Sequence, residues 1–567
     1  MSEFLLLPII LLGLFVLLVV WILSKIGRAD YPYAAGHLTS KDNFTNSIII
    51  FAAIAGLIGV GLRLYGFTRS LWLDEFGTLW AIEDGVTTLL HRVYSFQGQS
   101  PLYYLLTWPL VHLFGESEFA VRLISLIAGA GTVYGAFRLA SSIYGKDAGL
   151  MAASFLWLSP ISVQMDTQAR PYSLAILMAV ILVYGFTRAV SADRFGRWLF
   201  VFGGVGLFFA HYVFVLMVLG IALGYFFITR LNSLYPRRQF AVDIGLQMLL
   251  GSLCLPHIIA LWSRREGLSW IGTANYLSFF ELIGPLIILA MVPFVVHISK
   301  PNCSLEQAIT KLLWVTIVVQ LFVMSGAARL GINLLEPRYM AVLIVPAVVL
   351  AGAAYANLPF YFTCAPLCFW VFFLAVSFLI NLSAYGSFSR AGSQDWRKAV
   401  HCLDEIIRKE PQTIVLYRSG FVEEDGLMRG KVNSADMAPL RSPAHLPVAW
   451  NLIPLTYSWG QSSREDYFGK VVEIALDSAA VAYFLTCARC FNSATGHYAE
   501  EFTKWIDQKF HGSFQQSRIV GVQGITLIRF VRQPSSGSKG GQENVGSENQ
   551  PGMGGQGALP SVDCKFE

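Results

Sequence analysis

The stretch TRSLWLDEFGTLWAI, residues 68–82, places two adjacent carboxylates, Asp74 and Glu75, among leucines and tryptophans. It directly follows an apolar run near residues 46–66. A run of this length can cross a hydrocarbon core of about 30 Å as a helix. The two carboxylates are therefore expected at the mouth of a membrane span, where a charged side chain is costly unless it is paired or used.

A helix over this stretch would separate the two carboxylates. Its apolar face collects four side chains, Trp72, Phe76, Leu79 and Trp80. Asp74 and Thr78 lie on the opposite face, with Glu75 on the flank. We expect this helix on the membrane surface, with Asp74 as a single general base, because adjacent helical residues do not face each other. The alternative is that Asp74 caps the helix and Glu75 interacts with its N-terminal dipole.

The composition is that of a membrane protein. Of the 567 residues, 55% are hydrophobic and 14% are charged, against roughly 25% charged residues in soluble domains. The net charge of +5 is not gathered into a basic block, so a nucleic-acid partner is not expected. The sequence predicts a polytopic α-helical membrane protein with about twelve spans, near residues 4–23, 46–66, 117–140, 147–163, 171–189, 198–210, 213–229, 240–261, 278–297, 309–327, 339–357 and 361–381.

Composition shifts along the chain predict four regions. Residues 1–45 hold an additional N-terminal span and a linker, and residues 46–383 form the membrane core. Residues 384–533 carry a helical pattern and three strand-like runs, TIVLYR, VAYFLT and ITLIRFVR, which predict a small α/β domain. The tail from residue 534 is rich in Gly, Ser and Gln and is predicted to be disordered.

The loop charges favour one orientation. Lys and Arg concentrate in loops on one side, which is therefore assigned to the cytoplasm. The C-terminal α/β domain then lies outside the cytoplasm. Every cation on the outer side is Arg, namely Arg69, Arg92, Arg170, Arg264, Arg265, Arg329 and Arg338. Arg presents a planar fork suited to phosphate or carboxylate, although Arg at helix ends also extends to the interface without any ligand.

Three further polar groups are predicted at the same outer mouth. They are the stretch SPISVQMDTQARPYSL at residues 159–174, the pair His211 and Tyr212 that interrupts a long apolar run, and the stretch LEPRYM at residues 335–340. The glycine-rich stretch GAGTVYG, residues 129–135, resembles a phosphate loop but lies inside a predicted span. Helix packing explains its glycines better, and nothing in the sequence indicates a nucleotide cofactor.

These motifs together resemble the C-type membrane glycosyltransferases, particularly the bacterial branch of protein O-mannosyltransferases and aminoarabinose transferases. The resemblance covers residues 46–533 and rests on short motifs in a shared order, WLDE at 72–75, QSPLYYLL at 99–106, ARPYSL at 169–174, HY at 211–212, SWI at 269–271, PRY at 337–339 and QDWR at 394–397. Gln168 stands where many relatives have an acidic residue, which leaves any metal ligand unidentified. The span at residues 4–23 is additional to the usual core.

The resemblance implies a multi-pass protein of the bacterial inner membrane that transfers a hexose or pentose from a polyprenyl-phosphate donor. Its partners would be the donor, the lipid bilayer and a cell-envelope acceptor, which is a glycolipid, a polysaccharide or a protein. Asp74 aligns with the acidic residue that activates the acceptor, and Glu75 is the second catalytic candidate.

The remaining candidates are assigned from their chemistry. A departing phosphate needs cations and hydrogen-bond donors, which predicts a donor phosphate site formed by Arg170, Tyr172, Arg338, Tyr339 and His211. Contacts to the acceptor or the lipid headgroup are predicted for Arg264, Arg265, Trp270 and Gln99. The sequence indicates no cofactor and identifies no divalent metal site.

A transporter or lipid flippase for an anionic substrate is the alternative. It would place ionisable residues near the bilayer midplane, whereas here they cluster at one mouth.

Overall fold

The computed structural model describes residues 42–263, 305–330, 332, 334–356, 395–410, 413–418, 451–455, 464–487, 498–522 and 525–533. The chain divides into two compact units, Met1–Gly392 and Ser393–Glu567. Three of the predicted spans, the predicted boundary at residue 383 and the predicted tail lie outside the described residues. The spans concerned are those near residues 4–23, 278–297 and 361–381.

The described part of the first unit is helical. Its helices are α1 (Asp42–Phe67), α2 (Leu73–Ile82), α3 (Val86–Phe96), α4 (Leu102–Phe114), α5 (Glu118–Tyr144), α6 (Lys146–Leu158), α7 (Pro160–Asp166), α8 (Tyr172–Val190), α9 (Arg194–Ala210), α10 (Leu216–Phe227), α11 (Thr229–Leu234), α12 (Arg237–Gly251), α13 (Leu255–Ser263), α14 (Leu305–Arg329) and α15 (Ile344–Ala356). Short 3-10 helices cover Tyr212–Val215, Ser252–Cys254 and Pro337–Leu343.

Several of these helices have the length and apolar character of membrane spans. Within the described ranges four pass by length and composition, Glu118–Tyr144, Tyr172–Val190, Arg237–Trp262 and Leu305–Arg329. A bent pair, α6 and α7, passes as a fifth with an angle of 64°. The bend falls where Pro160 begins α7, since proline supplies no amide hydrogen to continue the preceding helix. Helix α4 is a shorter apolar helix that the predicted spans omitted.

Helix α8 lies at the centre of the first unit and is buried along almost its whole length. Small residues allow its neighbours to approach closely. A Cβ atom added at Gly203 would lie 2.4 Å from the backbone nitrogen of Leu182, and one at Gly135 would lie 2.6 Å from the Val180 side chain. Gly135 belongs to the glycine-rich stretch of residues 129–135, so the prediction that these glycines serve helix packing is confirmed.

Helix α2 carries Asp74 and Glu75, as predicted, and it is enclosed by other parts of the chain. Its described residues from Asp74 to Ile82 are all buried, including the polar Thr78. The predicted location of this helix at the membrane surface stays a prediction, because burial within the protein does not place the helix relative to a membrane. Its polar side chains are paired with arginines and backbone groups from other segments of the chain, and such pairing allows charged groups to be buried.

The second unit is an α/β unit with a five-stranded sheet of order β2-β1-β3-β5-β4. Strand β1 is parallel to β2 and β3, and β5 is antiparallel to β3 and β4. The strands are β1 (Thr413–Arg418), β2 (Asn451–Leu455), β3 (Val481–Cys487), β4 (Phe514–Val522) and β5 (Ile525–Arg532). The helices are α16 (Trp396–Ile407), α17 (Arg464–Tyr467), a π-helical turn Phe468–Val472, α18 (Glu473–Ser478) and α19 (Tyr498–Lys509).

The predicted helix and three predicted strands of this unit are present. Helix α16 begins after Asp395, whose side chain accepts a hydrogen bond from the Lys398 backbone N–H at 3.1 Å, as expected for an N-cap. The predicted strands are β1, β3 and β5. Strands β2 and β4 were not predicted because Pro454 interrupts the first and polar residues dilute the second.

Candidate active site

Asp74 lies in the first turn of α2, where it meets two arginines from distant parts of the chain. Arg338 Nη1 donates to Asp74 Oδ2 at 2.7 Å. Arg170 Nη2 lies 3.9 Å from the same oxygen. The Asp74 side chain is only 9% exposed, and its Oδ1 atom has no hydrogen-bond partner in the described part of the chain. Asp74 thus combines a paired oxygen with one that remains available to accept a proton.

Arg170 is presented by the turn between α7 and α8. Its Nη1 donates to the backbone oxygen of Asp74 at 3.1 Å and lies 3.5 Å from Thr78 Oγ1. The residue is 6% exposed, and its Nε is buried without a hydrogen-bond partner among the described residues. Leaving such a donor unsatisfied is costly, so Arg170 retains capacity to bind an anion at this place.

Aromatic rings surround the two arginines. Tyr172 stacks on His211 with ring centroids 5.8 Å apart, and His211 lies 5.4 Å from the Tyr339 ring. The Arg338 guanidinium lies over the Tyr339 ring at 5.3 Å. These contacts bring together the five residues predicted for donor phosphate binding, although they come from three separate segments of the sequence.

His211 is a neutral member of this group. It follows α9 directly and accepts a hydrogen bond from the Val213 backbone N–H at Nδ1, at 3.4 Å. In the neutral ring the proton is therefore assigned to Nε2. Burial lowers the pKa of His211 to about 3, with Arg170 and Arg338 lowering it further. At neutral pH His211 can donate a hydrogen bond from Nε2 without adding a charge.

The depressed pKa of His211 predicts a pH-dependent contribution to folding. The unfolded chain takes up the proton near pH 6.5, whereas the folded chain resists it until about pH 3. The contribution of His211 to the free energy of unfolding is thus fully present above pH 6.5, and it is lost as the pH falls from 6.5 towards 3. We expect His211→Asn, which keeps a capping oxygen, to lose thermal stability less steeply over this window than the wild type. Identical slopes would show that His211 is protonated normally in the folded protein.

Gln99 lies behind this aromatic group rather than in the open. Its Nε2 is 3.4 Å from the Tyr172 hydroxyl, and its Oε1 accepts from the Tyr104 hydroxyl at 2.8 Å. Tyr104 also donates to Gln97 Oε1 at 3.1 Å. Gln99 is 4% exposed. A contact of Gln99 with the sugar acceptor stays a prediction, while the hydrogen bonds of Gln99 in the structure orient Tyr172.

Glu75 is fully buried, and its hydrogen-bond partners differ from those of the Asp74 side chain. Its carboxylate receives Arg122 Nε at 2.7 Å and Arg122 Nη2 at 2.6 Å. It also accepts from the backbone N–H groups of Ala169 at 2.7 Å and Trp72 at 3.2 Å. A direct catalytic role of Glu75 stays a prediction, and these bonds occupy both of its oxygens.

Two buried ion pairs, each between an arginine of a predicted span and a distant carboxylate, were missed in the sequence. Arg63 Nε and Nη2 donate to Asp166 Oδ2 at 2.9 and 2.5 Å, and Asp166 Oδ1 accepts from Ser173 Oγ at 2.6 Å. Arg122 and Arg63 each lie within or beside a predicted apolar span. The signal that could have identified them is an ionisable residue inside a span, which is rare unless it is paired.

The remaining predicted contacts, Arg264, Arg265 and Trp270, lie outside the described residues. Within the described ranges, no group of three or more His, Cys, Asp or Glu side chains could hold a metal ion. The carboxylates of Asp74, Glu75 and Asp166 each contact an arginine instead.

Part of this chain is similar to a known family of enzymes. Residues 98–259 match the sequence model of the dolichyl-phosphate-mannose-protein mannosyltransferases. The resemblance to the C-type membrane glycosyltransferases is confirmed. The matched segment includes Gln99, Arg170, Tyr172 and His211, whereas Asp74 and Arg338 lie on either side of it. No curated protein sequence matches the chain.

Solved structures of other proteins are similar to this chain. ArnT from Cupriavidus metallidurans in the apo state is 13% identical, with 86% of this chain and 98% of that chain covered and a TM-score of 0.50. The same protein bound to undecaprenyl phosphate is 12% identical, with the same coverage and a TM-score of 0.49. The oligosaccharyltransferase AglB from Archaeoglobus fulgidus, in complex with an inhibitory peptide and a dolichol-phosphate, is 11% identical over 88% of this chain and 75% of that chain, with a TM-score of 0.45. At these identities the likeness concerns the fold.

Proposed function

We propose that this C-type protein transfers a sugar from a polyprenyl-phosphate donor to a hydroxyl acceptor of the cell envelope. The observation that carries the proposal is the convergence of Arg170 and Arg338 on Asp74. The matched family acts on a phosphate-linked mannose by its description, which supports a lipid phosphate as the sugar carrier. The acceptor is a glycolipid, a polysaccharide or a protein.

Asp74 serves as the general base of the transfer. The acceptor oxygen attacks C1 of the sugar and forms the new C1–O bond, while its proton moves to Asp74 Oδ1. The bond between C1 and the phosphate oxygen breaks at the same time, and the electron pair leaves with the polyprenyl phosphate. A positioned base of this kind contributes roughly 10²- to 10⁴-fold to the rate.

The two arginines stabilise the charge that develops on the departing phosphate. Each guanidinium offers several N–H donors in a planar fork that matches phosphate oxygens. Arg170 Nε is buried and unpartnered among the described residues, and one carboxylate oxygen, Asp74 Oδ2, lies 3.9 Å from Arg170 and 2.7 Å from Arg338. His211 Nε2 and the hydroxyls of Tyr172 and Tyr339 add neutral donors. Preorganised donors in a buried site stabilise developing charge more effectively than water does.

The site is proposed to face the extracytoplasmic side of the inner membrane. Arg194, Arg230, Arg237 and Arg238 are exposed near helix ends that are predicted to be cytoplasmic. His211 follows the opposite end of α9 from Arg194. In the second unit Cys402 is disulfide-bonded, which suits an oxidising compartment. A donor carried in the outer leaflet would then reach Asp74 directly.

Sealed membrane vesicles of both orientations test the function and its sidedness together. A short-chain, water-soluble polyprenyl-phosphate sugar, labelled in the sugar and supplied as a panel of hexoses and pentoses, is added outside. We expect label on envelope acceptors in right-side-out vesicles, none in sealed inverted vesicles, and none in vesicles that contain Asp74→Asn. Labelled donor that enters the lumen without a labelled product would instead favour the transporter, and product in inverted vesicles alone would reverse the orientation.

A further inference from the structure

We propose that the ion pair of Glu75 and Arg122 holds the base, Asp74, and the phosphate-binding Arg170 at fixed positions relative to each other. This inference rests on the proposed function and assigns Glu75 a role other than direct catalysis. The pair is almost completely buried, with side-chain exposures of 0% for Glu75 and 3% for Arg122. Glu75 directly follows Asp74 in the sequence. It also accepts a hydrogen bond from Ala169, the residue that precedes Arg170.

Glu75 connects the start of α2 to the turn that presents Arg170. Its Oε1 accepts the Ala169 backbone N–H at 2.7 Å, and its Oε2 accepts the Trp72 backbone N–H at 3.2 Å. Thr78, one turn further along α2, donates from Oγ1 to the Ala169 backbone oxygen at 2.9 Å. Both polar groups of the Ala169 backbone are therefore bonded to the helix that carries Asp74.

Arg122 connects the same carboxylate to the chain that leads into α2. Its Nη1 donates to backbone oxygens at the end of α1 and in the α1–α2 connection, the shortest at 2.8 Å to Arg69. Its Nη2 donates to the Ser70 backbone oxygen at 3.2 Å. Ser125, one turn along α5, donates to the Gln168 backbone oxygen at 2.6 Å. Helix α5 thus anchors both the entry to α2 and the Arg170 turn.

The bonds of Glu75 argue against its acting as the base. Each of its oxygens already accepts two hydrogen bonds, which together come from Arg122 and two backbone N–H groups. Taking a proton would require at least one of these buried bonds to break. Asp74, its neighbour, has an oxygen without a partner in the described part of the chain. The two carboxylates therefore have different roles. Asp74 accepts the proton, and Glu75 holds Asp74 in position.

The test compares Glu75→Gln with Asp243→Asn in the purified full chain. Asp243 is also a buried carboxylate in a bidentate pair, with Arg197 at 2.7 and 2.8 Å. Arg197 lies near the start of α9, about 20 Å from His211 at the other end of the helix. Asp243→Asn therefore reports the loss of a buried ion pair without touching the site.

We expect Glu75→Gln to lower kcat at least tenfold per folded molecule, with a smaller change in the KM for the donor, and to retain the pH profile of the wild type. Asp243→Asn should lower the thermal midpoint but leave kcat unchanged. A double variant, Glu75→Arg with Arg122→Glu, restores opposite charges but removes the acceptor for the Ala169 N–H. It should regain thermal stability over Glu75→Arg alone without regaining kcat.

Three outcomes would overturn the inference. An unchanged kcat in Glu75→Gln would reduce the pair to a structural contact. Recovery of kcat in the double variant would show that the ion pair alone matters, and not the bond to Ala169. Loss of the acidic limb of the pH profile, which is the fall in rate at low pH, in Glu75→Gln would make Glu75 the base. Failure of the proposed function is distinguished separately, because the wild type would then form no glycosylated product at all.

Discussion

Asp74→Asn is expected to abolish sugar transfer while the protein still folds and inserts. The substitution keeps the backbone oxygen that receives Arg170 and a side-chain oxygen for Arg338, but it removes the basic carboxylate. A general base contributes roughly 10²- to 10⁴-fold, so the residual rate should fall by about that factor. The measurement is the turnover of a labelled polyprenyl-phosphate sugar by purified protein.

Asp84→Asn is the matched control for this substitution. Asp84 pairs with Arg92 at 2.6 Å, but its side chain is 53% exposed, and its contacts in the described part of the chain are with Arg92 and Trp108 rather than with the arginines of the site. Its replacement should leave turnover unchanged. Thermal unfolding of both variants separates catalysis from stability, because neutralising Asp74 leaves buried arginines less well compensated. Equal turnover by wild type and folded Asp74→Asn would reassign Asp74 to helix capping.

Arg170→Lys and Arg338→Lys should each weaken use of the donor. Lysine keeps the charge but loses the planar fork that binds two phosphate oxygens. The expected loss is roughly 1.5–3 kcal/mol in kcat/KM for the donor, the scale of a hydrogen bond to a charged group. The KM for the acceptor should change much less, since the phosphate belongs to the donor.

Arg92→Lys provides the comparison for these two variants. Arg92 is another arginine from the predicted outer side, and it pairs with Glu83 at 3.0 Å and with Asp84 rather than with Asp74. We expect it to retain full donor use. Full activity in both Arg170→Lys and Arg338→Lys would make those residues interfacial anchors. The donor phosphate would then have to bind elsewhere, and Arg264 and Arg265 would be the next candidates.

The sequence predicted the membrane class and the residues that meet at the site. Asp74, Arg170 and Arg338 were identified because polar residues at the ends of apolar spans are costly unless they are used. His211 was identified because it interrupts an apolar run, and helix α9 indeed ends at the preceding residue. The helix and the strands of the second unit were recognisable for the same reason, since their side-chain periodicity is a local property of the chain.

Long-range partners could not be predicted in this way. Arg122 contacts Glu75 across 47 residues, and Arg63 contacts Asp166 across 103 residues. Both arginines looked like isolated charges within apolar runs. Which carboxylate neutralises each one depends on how the helices pack. Packing also decided that α2 is enclosed, because the amphipathic pattern of residues 72–82 shows a polar face but not what covers that face.

The sequence by itself determined most of the apolar helices in the described part of the chain, which charged residues lie at their ends and which enzyme family the motifs resemble. These properties follow from local composition and from the period of the helix. Only the tertiary structure decided that the two adjacent carboxylates have different partners, Arg338 for Asp74 and Arg122 for Glu75. The physical reason is that a buried charge is stable only beside an opposite charge in good geometry, and that geometry is set by helices that are distant in sequence.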